Sequence, residues 1–301
     1  MTDSRVLLWK FVIRASSFTL MRLRIFHRTR YHYRAPVRES HNEVRLRPAT
    51  EDSARCEFFL LNVNPPVRLK HFRDEWMNYV HWFDIAEPHS GLSIEVQMTV
   101  QTSSQYGSGK PLGIVFESLK DLQDDLLAPL LQSSTYVDIN REIWKEALDV
   151  KAASDDVFAT AEGLMTHVHS HWAYLPGTTH ASTHMREVMA NRQGVCQDFA
   201  HVMIGMCRSL GIPSRYVSGY LYNGPGAHLR GAQASHAWCE VFVPGKGWFG
   251  LDPTNNTLAD ERHIKIATGR DYADAAPLTG QFDGPMDATA AMQIEVEVSA
   301  A

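Results

Sequence analysis

The chain of 301 residues carries 29 lysines and arginines against 34 aspartates and glutamates, a net charge of −5, with 44% apolar and 21% charged residues. That length accommodates two domains, and that composition is ordinary for a chain that buries a core. With no basic surplus, nucleic acid is not expected as a partner, and no apolar run reaches the roughly 18 residues of a membrane span, so no membrane partner is expected either.

Residues 1–20 read as a disordered extension ahead of a natural start at Met21. The apolar stretch Val6 to Ile13 is interrupted by Lys10, and no small-residue cleavage site follows it. Residues 21–105 read as an antiparallel β domain. Leu23, Ile25 and His27 alternate with Arg22, Arg24 and Arg28, and Leu92 to Val100 alternates with polar residues at period two. The arginines are therefore one solvated strand face and not a nucleic-acid arm. Asn64-Pro65-Pro66 and Glu87 to Gly91 are turns.

Residues 106–150 read as a helical linker region, entered through a Ser-, Gly- and Gln-rich stretch at about 102–113. The core spans 151–272. Ser154 or Asp155 caps a helix carrying Phe158, Ala161, Leu164, Met165, Val168 and Trp172, and Ser182 or Thr183 caps the next, which ends near Asn191. A third helix starts at Cys196 and carries Phe199, Met203, Met206 and Leu210 as one stripe, with Gly211 past its end and Pro213 stopping it. Ser214 to Tyr222 is a strand. His236–Val243 and Trp248–Asp252 form a hairpin around Pro244-Gly245-Lys246-Gly247. Residues 253–285 read as irregular, and within 273–301 only Met292 to Val298 alternates as a last strand.

The chemistry concentrates at Cys196. Gly194-Val195-Cys196 delivers a thiol to the first turn of a helix, where free N–H groups and the dipole favour an anion, so the thiol is expected to be acidified and nucleophilic. His236 at the start of one hairpin strand and Asp252 at the end of the other should be near cross-strand neighbours, so the carboxylate holds one imidazole nitrogen and the other faces the thiol. Trp238, two residues from His236, is a candidate wall for an acyl pocket, and Tyr174 a candidate cleft residue. The Cys196 N–H is a sensible oxyanion donor, with Gln193 and Gln197 as candidates for a second. Cys56, Cys207 and Cys239 read as core or supporting residues; the four cysteines show no metal spacing and suit a reducing cytoplasm. His167, His169 and His171 lie on a helical pattern that fans them apart, so no metal is expected, and nothing calls for a cofactor.

Gly194-Val195-Cys196-Gln197-Asp198-Phe199-Ala200-His201, Gly211 to Tyr220, Ser235-His236-Ala237-Trp238 and Leu251-Asp252-Pro253-Thr254-Asn255 resemble the bacterial transglutaminase-like superfamily, papain-like in its core, and Tyr31 to Pro48 resembles the β domain preceding that core in bacterial members. The resemblance implies an α+β fold, an N-terminal antiparallel β domain followed by helices packed on an antiparallel sheet. It implies Cys196 as nucleophile, His236 as base and then acid, and Asp252 as orienter, acting on a peptide or protein substrate through a thioester. A protease or amidase is expected first, because no second amine site or calcium loop is marked; a protein-glutamine transglutaminase and a non-catalytic peptide-binding scaffold are the alternatives.

Overall fold

The computed structural model describes residues 20–48, 53–104, 111–120, 122, 124–224, 229–231, 235–285, 288 and 291–301. The expected extension at 1–20 lies almost wholly outside these residues, as does half of the 102–113 stretch. The strands and helices run β1 (Leu20–Arg47), β2 (Ala54–Asn64), β3 (Lys70–Arg73), β4 (Tyr79–Ile85), β5 (His89–Ser103), α1 (Arg141–Lys151), α2 (Val157–His171), β6 (Ala173–Tyr174), α3 (Met185–Asn191), β7 (Gln193–Gly194), α4 (Cys196–Ser209), β8 (Ser214–Leu221), β9 (His236–Val243), β10 (Gly247–Asp252), β11 (Thr257–Leu258), β12 (His263–Gly269), α5 (Tyr272–Ala275), β13 (Leu278–Asp283) and β14 (Ala291–Ala300). The fold is α+β. Among the described residues no helix is long and apolar enough to cross a membrane.

The first sheet is ordered β2-β5-β1-β4-β3, and β13 and β14 also pair with β1. The alternating pattern near Leu23 proves to be the first part of one long strand that runs on through Val44. Its first half pairs antiparallel with β5 and β14, its second with β4 and β13. Leu23, Ile25, His27 and Thr29 face inward, as period two requires.

The second sheet, β11-β10-β9-β8-β12, is antiparallel throughout. One face carries Tyr216, Ala237, Cys239, Val241 and Ala267 into a core with α1, α2, α3 and α4. From β8 and β12, Tyr220, Ile264 and Ile266 join Leu23, Ile25, Val96 and Met98 of the first sheet. Polar contacts fix the two sheets together. Asn78 exchanges two hydrogen bonds of 2.8 Å with the Thr268 main chain, Thr102 Oγ1 donates to the Glu261 carbonyl at 2.6 Å, and His27 Nδ1 meets the Tyr220 hydroxyl at 2.7 Å.

Several local expectations change. Asp156 caps α2 through a hydrogen bond from Ala159 N, and His184 caps α3, because these side chains, unlike their serine and threonine neighbours, reach the free N–H groups. The described residues between 111 and 140 are largely irregular with two short 3-10 turns, and among the described residues α1 is the one α-helix before α2. The α4 helix is buried on every side from Asp198 to Arg208, not along one stripe, since it is the central helix between the sheet and its companions. Its buried Arg208 donates to the carbonyls of Gln132, Ser214 and Arg270. The region 253–285, read as irregular, holds β12 and β13. The His263-Ile264-Lys265-Ile266 alternation is a strand signal of four residues, masked by the bulge between Lys265 and Ala267.

Candidate active site

Cys196 is the first residue of α4, with Val195 at the cap in an extended conformation. Valine has no side-chain oxygen to offer the helix, so capping works in one direction only: the Asp198 carboxylate accepts from Val195 N at 2.8 Å. The same oxygen accepts from the Thr179 hydroxyl at 2.6 Å, and burial pushes the Asp198 pKa up. Gly194 is therefore a steric requirement. A Cβ there would lie 2.6 Å from the Asp198 carboxylate. At this first position of the helix the Cys196 N–H has no intrahelical acceptor and can donate to a substrate oxyanion.

His236 and Asp252 stand side by side, with Nε2 to Oδ2 at 2.8 Å and both side chains fully buried. They are diagonal across the hairpin and not directly opposite, because Leu251 pairs with Cys239 and this register sets Asp252 across from Trp238. Asp252 Oδ1 accepts from Thr254 N at 2.9 Å and Asn255 N at 3.3 Å, and Oδ2 accepts from Asn255 Nδ2 at 2.8 Å. Burial opposes its charge, but His236, and His263 after it, hold the carboxyl far below the usual range. Burial likewise pulls the His236 pKa down, yet Asp252 and the adjacent Cys196 outweigh it and hold the imidazole at about 10. The free edge of the ring, Nδ1, has no partner meeting hydrogen-bond geometry among the described residues, and the Cys196 sulfur is the group that bears on it. Gly231, at φ +82°, packs on that edge: a Cβ would meet Nδ1 at 2.5 Å.

The remaining candidates fall in different places. Tyr174 pairs in parallel with Gly194, two residues before Cys196, and the Arg230 guanidinium lies 5.7 Å from its ring centre. Burial, with the Cys196 charge adding to it, pushes the Tyr174 hydroxyl up to about 12. Gln197 is tied down, its amide donating to the Ala181 carbonyl at 2.9 Å, so it braces the 178–184 loop and is not poised as an oxyanion donor. Gln193 aligns β7 beside Ala173. Trp238 is only 2% exposed and presents no wall to a substrate; it stacks beside His236, and Gly219 and Gly250 have no side chains where its ring lies. Cys207 and Cys239 are buried in the core, while Cys56 is half-buried on β2.

Two residues of this network escaped the sequence reading. Asn255 donates to Asp252 and also clamps the Arg230 main chain, accepting from its N at 2.8 Å and donating to its O at 3.2 Å. His263 reaches Asp252 Oδ2 from β12 at 3.4 Å. His236, Asp252 and His263 place their ligand atoms within 4.8 Å of one another, the residue types of a metal site. Both Nε2 atoms point their protons at the carboxylate, so a cation there would have to displace both. On α2 the expected fanning holds only for His169, which bonds the Pro253 and Thr254 carbonyls; His167 and His171, one turn apart, stack with ring centroids 4.1 Å from each other, and His167 bonds Glu146.

Comparison with known proteins gives a consistent result. Residues 145–253 match the transglutaminase-like superfamily and residues 23–101 match the bacterial transglutaminase-like N-terminal region. Uncharacterized proteins of Mycobacterium tuberculosis are 32% identical over 272 residues, covering 86% of this chain and 87% of theirs, and one of Mycobacterium leprae is 32% identical over 270 residues, covering 88% and 94%. A protein-glutamine gamma-glutamyltransferase of Pseudomonas aeruginosa is 36% identical over 97 residues, 29% of this chain and 14% of that protein. Among solved structures, a candidate cysteine protease from Cytophaga hutchinsonii superposes with a TM-score of 0.74 at 24% identity, covering 94% of this chain and 91% of that one.

Proposed function

Because the chain belongs to the transglutaminase-like superfamily, we propose that it is a cysteine-dependent acyl-transfer enzyme that hydrolyses a peptide or amide bond of a peptide or protein substrate, and that it works in the reducing cytoplasm, where Cys196 stays a thiol. The observation that carries this reading is the buried 2.8 Å His236–Asp252 pair turning its second ring nitrogen towards a cysteine at a helix start. The Cys196 sulfur attacks the carbonyl carbon while His236 Nδ1 holds the proton the thiol gives up. The oxyanion forms against the Cys196 N–H, the imidazolium protonates the departing amine, and a thioester remains. Water then attacks the thioester, His236 takes its proton and returns one to sulfur, and the acid leaves. Asp252 keeps the imidazole in the tautomer and orientation this cycle needs.

Transamidation, with an amine replacing water, is the second reading, favoured by the partial similarity to a gamma-glutamyltransferase. Incubation with a peptide library, followed by mass spectrometry, tests both. Hydrolysis predicts new carboxyl ends and a trapped acyl group on Cys196, both lost in Cys196→Ala. Incorporation of a labelled primary amine into glutamine side chains in place of new ends selects transamidation. A folded protein whose Cys196 never carries an acyl group under these conditions leaves the scaffold reading standing.

A further inference from the structure

Asp252 serves two histidines. His263 sits at the start of β12, 2% exposed in its side chain, and its Nε2 lies 3.4 Å from the same Oδ2 that holds His236. The tautomer is fixed from behind. Asp260 N donates to His263 Nδ1 at 3.1 Å, so the proton of the neutral ring is on Nε2 and points at Asp252. If a second proton binds, it meets Asp260 Oδ1, also at 3.1 Å, and Nε2–H still points at Asp252. Arg262 clamps the Asp260 carboxylate, and the edge of Trp238 closes the space beside the ring at 5.3 Å between centroids. The charged and titratable groups around His263 are thus Asp252, Asp260 with its Arg262, and His236; those around His236 are Asp252, His263 and Cys196, with Tyr174 beyond the sulfur.

Five N–H donors therefore converge on one buried carboxylate, two on Oδ1 and three on Oδ2. Each donor withdraws part of the charge that would otherwise stabilise the His236 imidazolium. We propose that His263 is a positioning residue that shares Asp252 with His236 and thereby limits how strongly the carboxylate raises the basicity of the imidazole facing Cys196. Without it, His236 would hold its proton too tightly to protonate a leaving amine. The direction is the same whether His263 is neutral or charged, since losing either a donor or a cation strengthens the hold of Asp252 on His236. The inference rests on the triad reading of Cys196, His236 and Asp252.

The rate of Cys196 alkylation by iodoacetamide, measured against pH, reads the His236 proton without a substrate. In the wild type the rate changes a second time on the alkaline side, where His236 deprotonates. His263→Leu is expected to move that limb upward by about one pH unit. His263→Gln, whose amide overlays Nε2, keeps it near the wild-type position, and His263→Asn, too short to reach Oδ2, shifts it as leucine does. Glutamine and asparagine carry the comparison if the leucine variant does not fold. A limb unmoved or lowered in the leucine variant, or identical in the glutamine and asparagine variants, overturns the proposal. A wild-type profile with no His236 limb removes the triad reading itself and this inference with it, so the two failures are told apart.

Discussion

The two sheets treat charge in opposite ways. The first keeps several of its ion pairs exposed, such as Arg22–Glu57, with side chains 54% and 30% exposed, and Arg38–Asp283, exposed on both sides, with Arg45–Asp74 its more buried pair. The second draws charge inward. Glu240 lies between Arg215 and Lys265, Asp252 lies between two histidines, and Arg208 runs through the core beneath. Exposed pairs exchange water for a partner at almost no gain, whereas a buried charge is tolerable only when every partner is in place. The first sheet thus rests mainly on its apolar face. The second is held by polar arrangements that also fix one geometry for the imidazole and thiol.

That contrast is sharpest at Asp252. Asp252→Asn keeps the shape but removes the charge; activity is expected to fall about a thousandfold or more, and the alkaline limb of the rate profile to move down from near the His236 value of about 10. Undiminished activity would mean that the buried carboxylate is structural only. Glu240 comes next. Burial opposes its charge, but Arg215 and Lys265 hold its pKa down to about 2. Glu240→Ala leaves two cations facing an empty, buried site and should cost about 3–5 kcal/mol in denaturant unfolding.

The pH dependence of stability is expected to peak near 6.5. Burial depresses His27 to about 4 and His201 to about 3, so below 6.5 the unfolded chain binds protons that the folded one refuses, and stability falls by about 1.4 kcal/mol per pH unit for each. His236, raised to about 10, works the other way: its contribution is complete below 6.5 and is lost as pH rises towards 10. A thermal unfolding series across pH checks both limbs, and His27→Gln should flatten the acid one. The smallest effect belongs to the first sheet, where Arg22→Ala should change stability by no more than about 1 kcal/mol. An equal loss in Arg22→Ala and Glu240→Ala would erase the contrast.

The first sheet was readable because half-buried strands write themselves as alternation, and β14 was found at the far end of the chain by the same pattern. The hairpin of β9 and β10 and the helix starting at Cys196 were equally plain, since glycines and prolines mark their ends. His263 and Asn255 were missed for one reason. Both act through distant neighbours, and β12 joins the sheet beside β8 and not beside the strand before it in sequence, so no local pattern announces the contact. Trp238 was placed on the correct strand face, but its burial depends on Gly219 and Gly250, whose missing side chains matter only once three strands are aligned.

The pairing of β1 with β14 has a consequence for the order in which the molecule can be made. Leu23 lies opposite Ala300, so a strand that leaves the ribosome early waits for one synthesised some 270 residues later. Until then one side of β1 is an open edge of unpaired N–H and C=O groups, the kind that recruits other chains. Arg22, Arg24, Arg28 and Arg30 stud its outer face, interrupted only at Phe26. On this view those arginines are gatekeepers during synthesis, guarding a seam that the finished protein closes last.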